Sequence, residues 1–219
     1  VKKFIYFTGV ALVFYSLIYG LLKEVPRLPI LHETIRNLFY HVTMWFSMIF
    51  MFGVSLFYSI KYLKTFRLDD DIRASQAAYT GLAFGVAGLL TGMLWARYTW
   101  GTWWTKDPQL NGAAITMLAY FSYHFIRQSI ADSEKKARLS AVYNIFAFAL
   151  MIIFIGVLPR MNDSLHPGKG GNPGFNTYDM DATLRVVFYP ALIGWMIIAH
   201  WIWNLRIRIT NLENRMYEE

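Results

Sequence analysis

Residues 39–60 read FYHVTMWFSMIFMFGVSLFYSI, a stretch without Asp, Glu, Lys or Arg in which His41 is the only side chain able to carry charge near neutrality. A helix of roughly 20 apolar residues, rising about 1.5 Å each, crosses a hydrocarbon core of about 30 Å. Runs of the same kind recur at 4–22, 77–96 and 139–158, none with a charged residue, and at 186–205, which holds only His200. A weaker sixth run, 110–130, carries His124 and Arg127 toward its end, and Arg127 must snorkel to reach the interface. The pattern predicts an all-α integral membrane protein with six transmembrane helices in a single membrane domain, residues 1–219.

Composition agrees with that reading. Of 219 residues, 56% are hydrophobic, 18% aromatic and 16% charged, against about a quarter charged in an ordinary soluble domain. The absence of cysteine excludes disulfides, thiolate metal sites, iron–sulfur clusters and a cysteine nucleophile. The net charge of +7 points to orientation in a bilayer and not to nucleic acid, because the basic residues cluster between the apolar runs. With the N-terminus inside, thirteen Lys and Arg fall in inner segments and eight in outer ones, so both termini are expected in the cytoplasm. The first run, after Lys2 and Lys3, is longer than a signal-peptide core and has no small-residue cleavage site after it, so it is expected to remain as a helix.

The connections differ in character. Leu28, Leu31, Ile35 and Leu38, after Pro26 and Pro29, predict a short amphipathic helix lying on the outer surface. The outer connection 160–185 contains Pro167, Gly168, Gly170, Gly171, Pro173 and Gly174 and is expected to be irregular in part. The inner connections 61–76 and 127–138 read as plain charged turns, with Asp69, Asp70 and Asp71 a solvated acidic run and not a metal cluster.

Chemistry concentrates at residues 95–111, WARYTWGTWWTKDPQLN. An interfacial aromatic belt accounts for one or two tryptophans per helix end. Trp95, Trp100, Trp103 and Trp104 arriving together beside Gly101 and Asp107 also suit a large flat ligand such as a porphyrin, and both readings stand. His41, at the outer end of the second run, and His166, in the outer loop, lie on the same side as this turn and form the pair able to fill the two axial positions of a haem iron. His32 reads as interfacial and His124 and His200 as packing residues. Arg97, Lys106, Arg160, Lys169 and Arg185 are the outer cations available to haem propionates, each otherwise a solvated interfacial charge.

The run Trp100-Gly101-Thr102-Trp103-Trp104-Thr105-Lys106-Asp107 resembles the tryptophan-rich WWD signature of haem-handling proteins of cytochrome c maturation. With six runs, a histidine opening the second and another in the loop before the sixth, the layout is most similar to the CcmC (haem exporter protein C) branch. The longer CcsA and CcmF relatives carry more spans and histidines. The resemblance implies His41 and His166 as axial ligands, with Trp100, Gly101, Trp103, Trp104 and Asp107 as the haem platform. It further implies a transiently bound b-type haem at the periplasmic face of the bacterial inner membrane, and delivery without catalysis to the haem chaperone CcmE beside the ABC-type subunits CcmA and CcmB and the small protein CcmD. Lys106 replaces a tryptophan common in that signature, and Pro108-Gln109 a pairing that usually includes arginine.

Two other functions fit parts of the sequence. A quinone-linked electron-transfer subunit would hold b-type haem within the bundle through His124 and His200. A solute permease would ordinarily show an internal repeat or broken helices at mid-membrane, and neither is evident.

Overall fold

The computed structural model describes residues 2–27, 31–166, 180 and 182–218. Its regular elements are helical, with no strand among the described residues. In chain order they are α1 (Lys2–Leu22), α2 (Thr43–Thr65), α3 (Leu68–Trp100), α4 (Pro108–Ser129), α5 (Ser133–Met151), a short α6 (Leu158–Met161) and α7 (Ala182–Glu218). Five helical stretches are long and apolar enough to cross a membrane, and α4 is the more polar sixth. Local chemistry sets the ends. Gly101, left-handed at φ 78°, terminates α3. Asp107 caps α4 by accepting the Gln109 N–H at 2.8 Å, with Pro108 in the first turn, and Asp132 caps α5 through the Lys135 N–H at 2.7 Å.

Successive spans run antiparallel, and the closest pair is α2 with α3. Gly81, Gly85, Gly88 and Gly92 line one face of α3, and a Cβ on each would fall within 3.0 Å of a neighbouring side chain: Phe52 for Gly81, Met117 and Met48 for Gly85, Trp45 for Gly88, and His41, in the turn before α2, for Gly92. In a bilayer, where burial of apolar area drives little association, such small residues let backbones approach and dispersion contacts accumulate. Gly9 and Gly194 meet in the same way between α1 and α7, alongside Tyr6 stacked on Trp201 at 5.1 Å. At the centre Phe52 stacks on Tyr120, and Asn144 of α5 donates to Ser55 and Ser59 of α2, each at 2.7 Å.

Two turns among the described residues widen to π geometry. Leu38–Val42, which carries His41, and Ile152–Val157 are π-helical. The second has an identifiable cause. Pro159 offers no N–H to the carbonyl four residues back and its ring crowds that turn, so the widened ladder accommodates it.

Three sequence expectations are corrected. The segment 31–38 is not an amphipathic α-helix with a free apolar face: a 3₁₀ turn, His32–Asn37, leads directly into the span, and Ile35 and Leu38 are buried against Val25, Phe39 and Leu184, while Leu28 and Pro29 lie outside the described residues. The connections 61–76 and 127–138 are mostly helix, leaving Phe66-Arg67 and residues 130–132 as the links. The acidic run is solvated only at Asp69, whose side chain is 43% exposed. Asp71 is 6% exposed and takes a two-pronged ion pair from Arg127 of α4, and Asp70, 2% exposed, meets Lys61 at 2.8 Å. Asp70 and Asp71 are neutralised between helices, which lets α3 begin at Leu68 and not at residue 77. Most of the glycine- and proline-rich loop expected at 160–185 lies outside the described residues.

Candidate functional site

The end of the bundle where α3 stops and α4 begins holds a cavity of about 360 Å³. The π turn before α2 contributes His41, α2 Trp45, the end of α3 Trp95 and Trp100, the α3–α4 connection Trp104, and the segment after α5 contributes Arg160, Ser164 and His166. The sequence-predicted histidine pair therefore shares one cavity, mostly apolar, framed by indole rings. Trp45 and Trp95 approach His41 edge-on at 6.1 and 5.7 Å, and Trp100 approaches His166 at 5.2 Å.

Each imidazole is oriented through its Nδ1. His41 Nδ1 lies 2.9 Å from the Gly88 carbonyl and 3.3 Å from Thr91 Oγ1. A carbonyl only accepts, so Nδ1 carries the proton and Nε2 keeps its lone pair. His166 Nδ1 lies 3.0 Å from Asp107 Oδ1, and an ionised carboxylate imposes the same tautomer. Gly92 completes the seat of His41: a Cβ there would stand 2.5 Å from the ring Cε1.

Asp107 sits beneath His166 and is 4% exposed. Besides His166 and the α4 cap, it accepts from Leu165 N–H at 2.6 Å and Ser164 Oγ at 2.9 Å. Burial pushes this carboxyl up. The hydrogen bonds from His166, Leu165 and Gln109 outweigh that, holding it well below the usual carboxylate range.

The remaining predicted residues are placed less uniformly. Trp103 is 53% exposed, and neither it nor Gly101 lines the cavity. Of the cations, Arg160 lines it and donates to the Gly156 carbonyl. Arg97 is tied to the Gly101 carbonyl and Arg185 to Met180 O at 2.7 Å, Lys106 is exposed, and Lys169 lies outside the described residues. His32 is exposed. His124 stacks on Tyr79 at 3.6 Å, buried toward the opposite end of the bundle, and the exposed His200 pairs with Asn204 at 2.9 Å. Sequence reasoning misses Trp45, Gly88, Gly92 and Ser164. For the glycines a signal exists in the four-three-four spacing of Gly81, Gly85, Gly88 and Gly92.

Chemically, two imidazoles with free Nε2 lone pairs, set among flat apolar rings with a cation at the rim, suit a planar metal complex that has two open axial positions and anionic edges. This donor set fits haem.

The sequence profile of the CcmC family, heme exporter protein C, matches residues 1–219. The chain belongs to the CcmC family. A heme exporter protein C of Bradyrhizobium diazoefficiens is 36% identical over 110 residues, which is 50% of this chain and 41% of that protein. The Paracoccus denitrificans heme exporter protein C is 25% identical over 167 residues, 75% of this chain and 68% of that protein. A cytochrome c biogenesis protein CcsA of Prochlorococcus marinus is 33% identical over 87 residues, 40% of this chain and 27% of that protein. The matched stretch thus spans less than half of the Bradyrhizobium relative and about two thirds of the Paracoccus one. Membership, together with the apolar helices, makes this a multi-pass membrane protein whose relatives are named for heme export and cytochrome c biogenesis.

Proposed function

We propose that this CcmC-family chain holds haem as cargo between His41 and His166 and presents it to a haem chaperone at the periplasmic face of the bacterial inner membrane. The observation that carries the reading is the shared cavity, lined by two imidazoles that are each held separately through Nδ1. Trp100 and Trp104 would flank the macrocycle, and Arg160, which lines the cavity, would meet a propionate. Haem supplies the iron, and the chain's residues bind, orient and release it without changing its covalent structure. His41 stands on a helix packed against α3, whereas His166 lies beyond the last turn of α6, held by Asp107. His166 is therefore the ligand expected to let go first when a chaperone such as CcmE competes. Action beside CcmA, CcmB and CcmD is implied by family membership.

The reading is tested by purifying the protein in mild detergent from haem-replete cells and comparing haem content and Soret spectrum for wild type, His41→Ala and His166→Ala. Loss of bound haem in His41→Ala and a changed axial-ligand spectrum in His166→Ala are expected. Wild-type spectra in both variants would eliminate the ligation. The electron-transfer reading predicts spectral dependence on His124 and His200, whose separate packing environments give it no comparable support.

A further inference from the structure

The WWD resemblance places Asp107 among the residues of the haem platform, but its oxygens face elsewhere. Every hydrogen bond it makes is accepted from a protein donor. The donors are Gln109 N–H at 2.8 Å, Ser164 Oγ at 2.9 and 3.2 Å, Leu165 N–H at 2.6 Å and His166 Nδ1 at 3.0 Å. Its side chain is 1% exposed, against 21% for His166, and it is absent from the residues lining the cavity. Ser164 adds a second tie by accepting the His166 N–H at 3.2 Å. We infer that Asp107 is a positioning residue: it joins the start of α4 to the 164–166 segment, fixes the tautomer of His166 and aims its Nε2 into the cavity.

The inference rests on the proposed ligation by His166 and adds a cause for it. Residues 164–166 have no helix of their own, so without Asp107 nothing among the described contacts would define the ring's direction except the edge of Trp100. A carboxylate is required and not merely a polar group. All its partners are donors, and an amide nitrogen at the Oδ2 position would oppose the Leu165 N–H. A ring whose Nδ1–H is shared with a carboxylate is a more basic ligand, which favours ferric over ferrous iron. The same arrangement makes His166 removable as a unit, because one carboxylate holds both the segment and the ring.

The test uses the full chain in detergent, with hemin as the probe, in a cycle of Asp107→Asn, His166→Ala and the double variant, plus Ser164→Ala. Expected are an at least ten-fold weaker hemin Kd for Asp107→Asn, of the size seen when outer-shell partners of metal ligands are lost, and a more positive midpoint potential. Ser164→Ala should move both in the same direction by less. In the His166→Ala background Asp107→Asn should add nothing to either. Without haem, deuterium exchange at the amides of Leu165 and His166 should rise in Asp107→Asn, which a direct haem contact would not produce. If Asp107→Asn leaves the potential and exchange unchanged, or weakens hemin binding as much without His166 as with it, the positioning role is wrong. If His166→Ala alone is without effect, the ligation reading fails first.

Discussion

Among single residues, the seat of His41 is stricter than its surroundings suggest. The ring is held by the Gly88 carbonyl on one side and by the bare backbone of Gly92 on the other. A methyl group at residue 92 would stand 2.5 Å from Cε1, so the ring must turn or α2 must move away from α3. Overpacking of this kind costs about 1–3 kcal/mol, and turning the ring also gives up the Nδ1 bond. Gly92→Ala is therefore expected to retain most of the fold, seen as an unchanged size-exclusion profile and a modest fall in Tm, while losing haem on purification much as His41→Ala does. Haem retention at the wild-type level would show that the ring has freedom the packing denies it. The histidine pair that shares the cavity is legible in the sequence, since His41 and His166 are the histidines read there as adjoining the tryptophan turn. The residues that aim them are not, because Gly88 and Asp107 meet their histidines across 47 and 59 positions of chain. Trp103 shows the converse: a residue of the right type within the motif, yet turned outward.

Among the helices, apolar runs locate the centres and charge misplaces the ends. A first charged residue reads as the edge of a span, but Asp70, Asp71 and Arg127 are paired inside the bundle, so the helices continue past them. The π turns leave no periodic signal, although Pro159 marks one of them. That turn brings the Phe154 carbonyl against Gly112 of α4 and sets the direction in which Arg160 and residues 162–166 leave the bundle. Pro159→Ala restores an N–H and removes the steric cause of the widening, so the segment should relax toward α geometry. Each residue inserted into or removed from a helical ladder rotates the downstream chain by about 100°. Higher amide protection across residues 152–161 is expected together with weaker hemin binding, because a straighter helix carries Arg160 and His166 away from the cavity. Unchanged binding with raised protection would mean that residues 162–166 absorb the rotation and that the π turn does not set the site.

Across the molecule as a whole, the alternating helices separate two unlike ends. One gathers the histidine pair and the indoles. The other gathers the ion pairs of α3 with α2 and α4, the bonds from Trp203 to Arg73 O at 3.0 Å and from Arg206 to Gln76 at 2.8 Å, and both described chain ends. Lys2, Lys3, Lys64, Lys135, Lys136, Arg208 and Arg215 join that second end without neutralising it. The positive-inside bias counts Lys and Arg near the spans and gives little weight to Asp and Glu, so pairing of some of these cations does not weaken it. The cation-rich end is therefore expected in the cytoplasm and the cavity on the far side. Since the chain has no cysteine, each engineered thiol is unique. Lys106→Cys lies exposed beside the cavity and Lys135→Cys exposed at the opposite end, neither in contact with the proposed ligands. A membrane-impermeant maleimide should label Lys106→Cys in cells whose outer membrane alone is permeabilised, and Lys135→Cys only after the inner membrane is opened. The reverse pattern would turn the cavity to the cytoplasm and remove a periplasmic chaperone from reach of His166, whatever the spectra show.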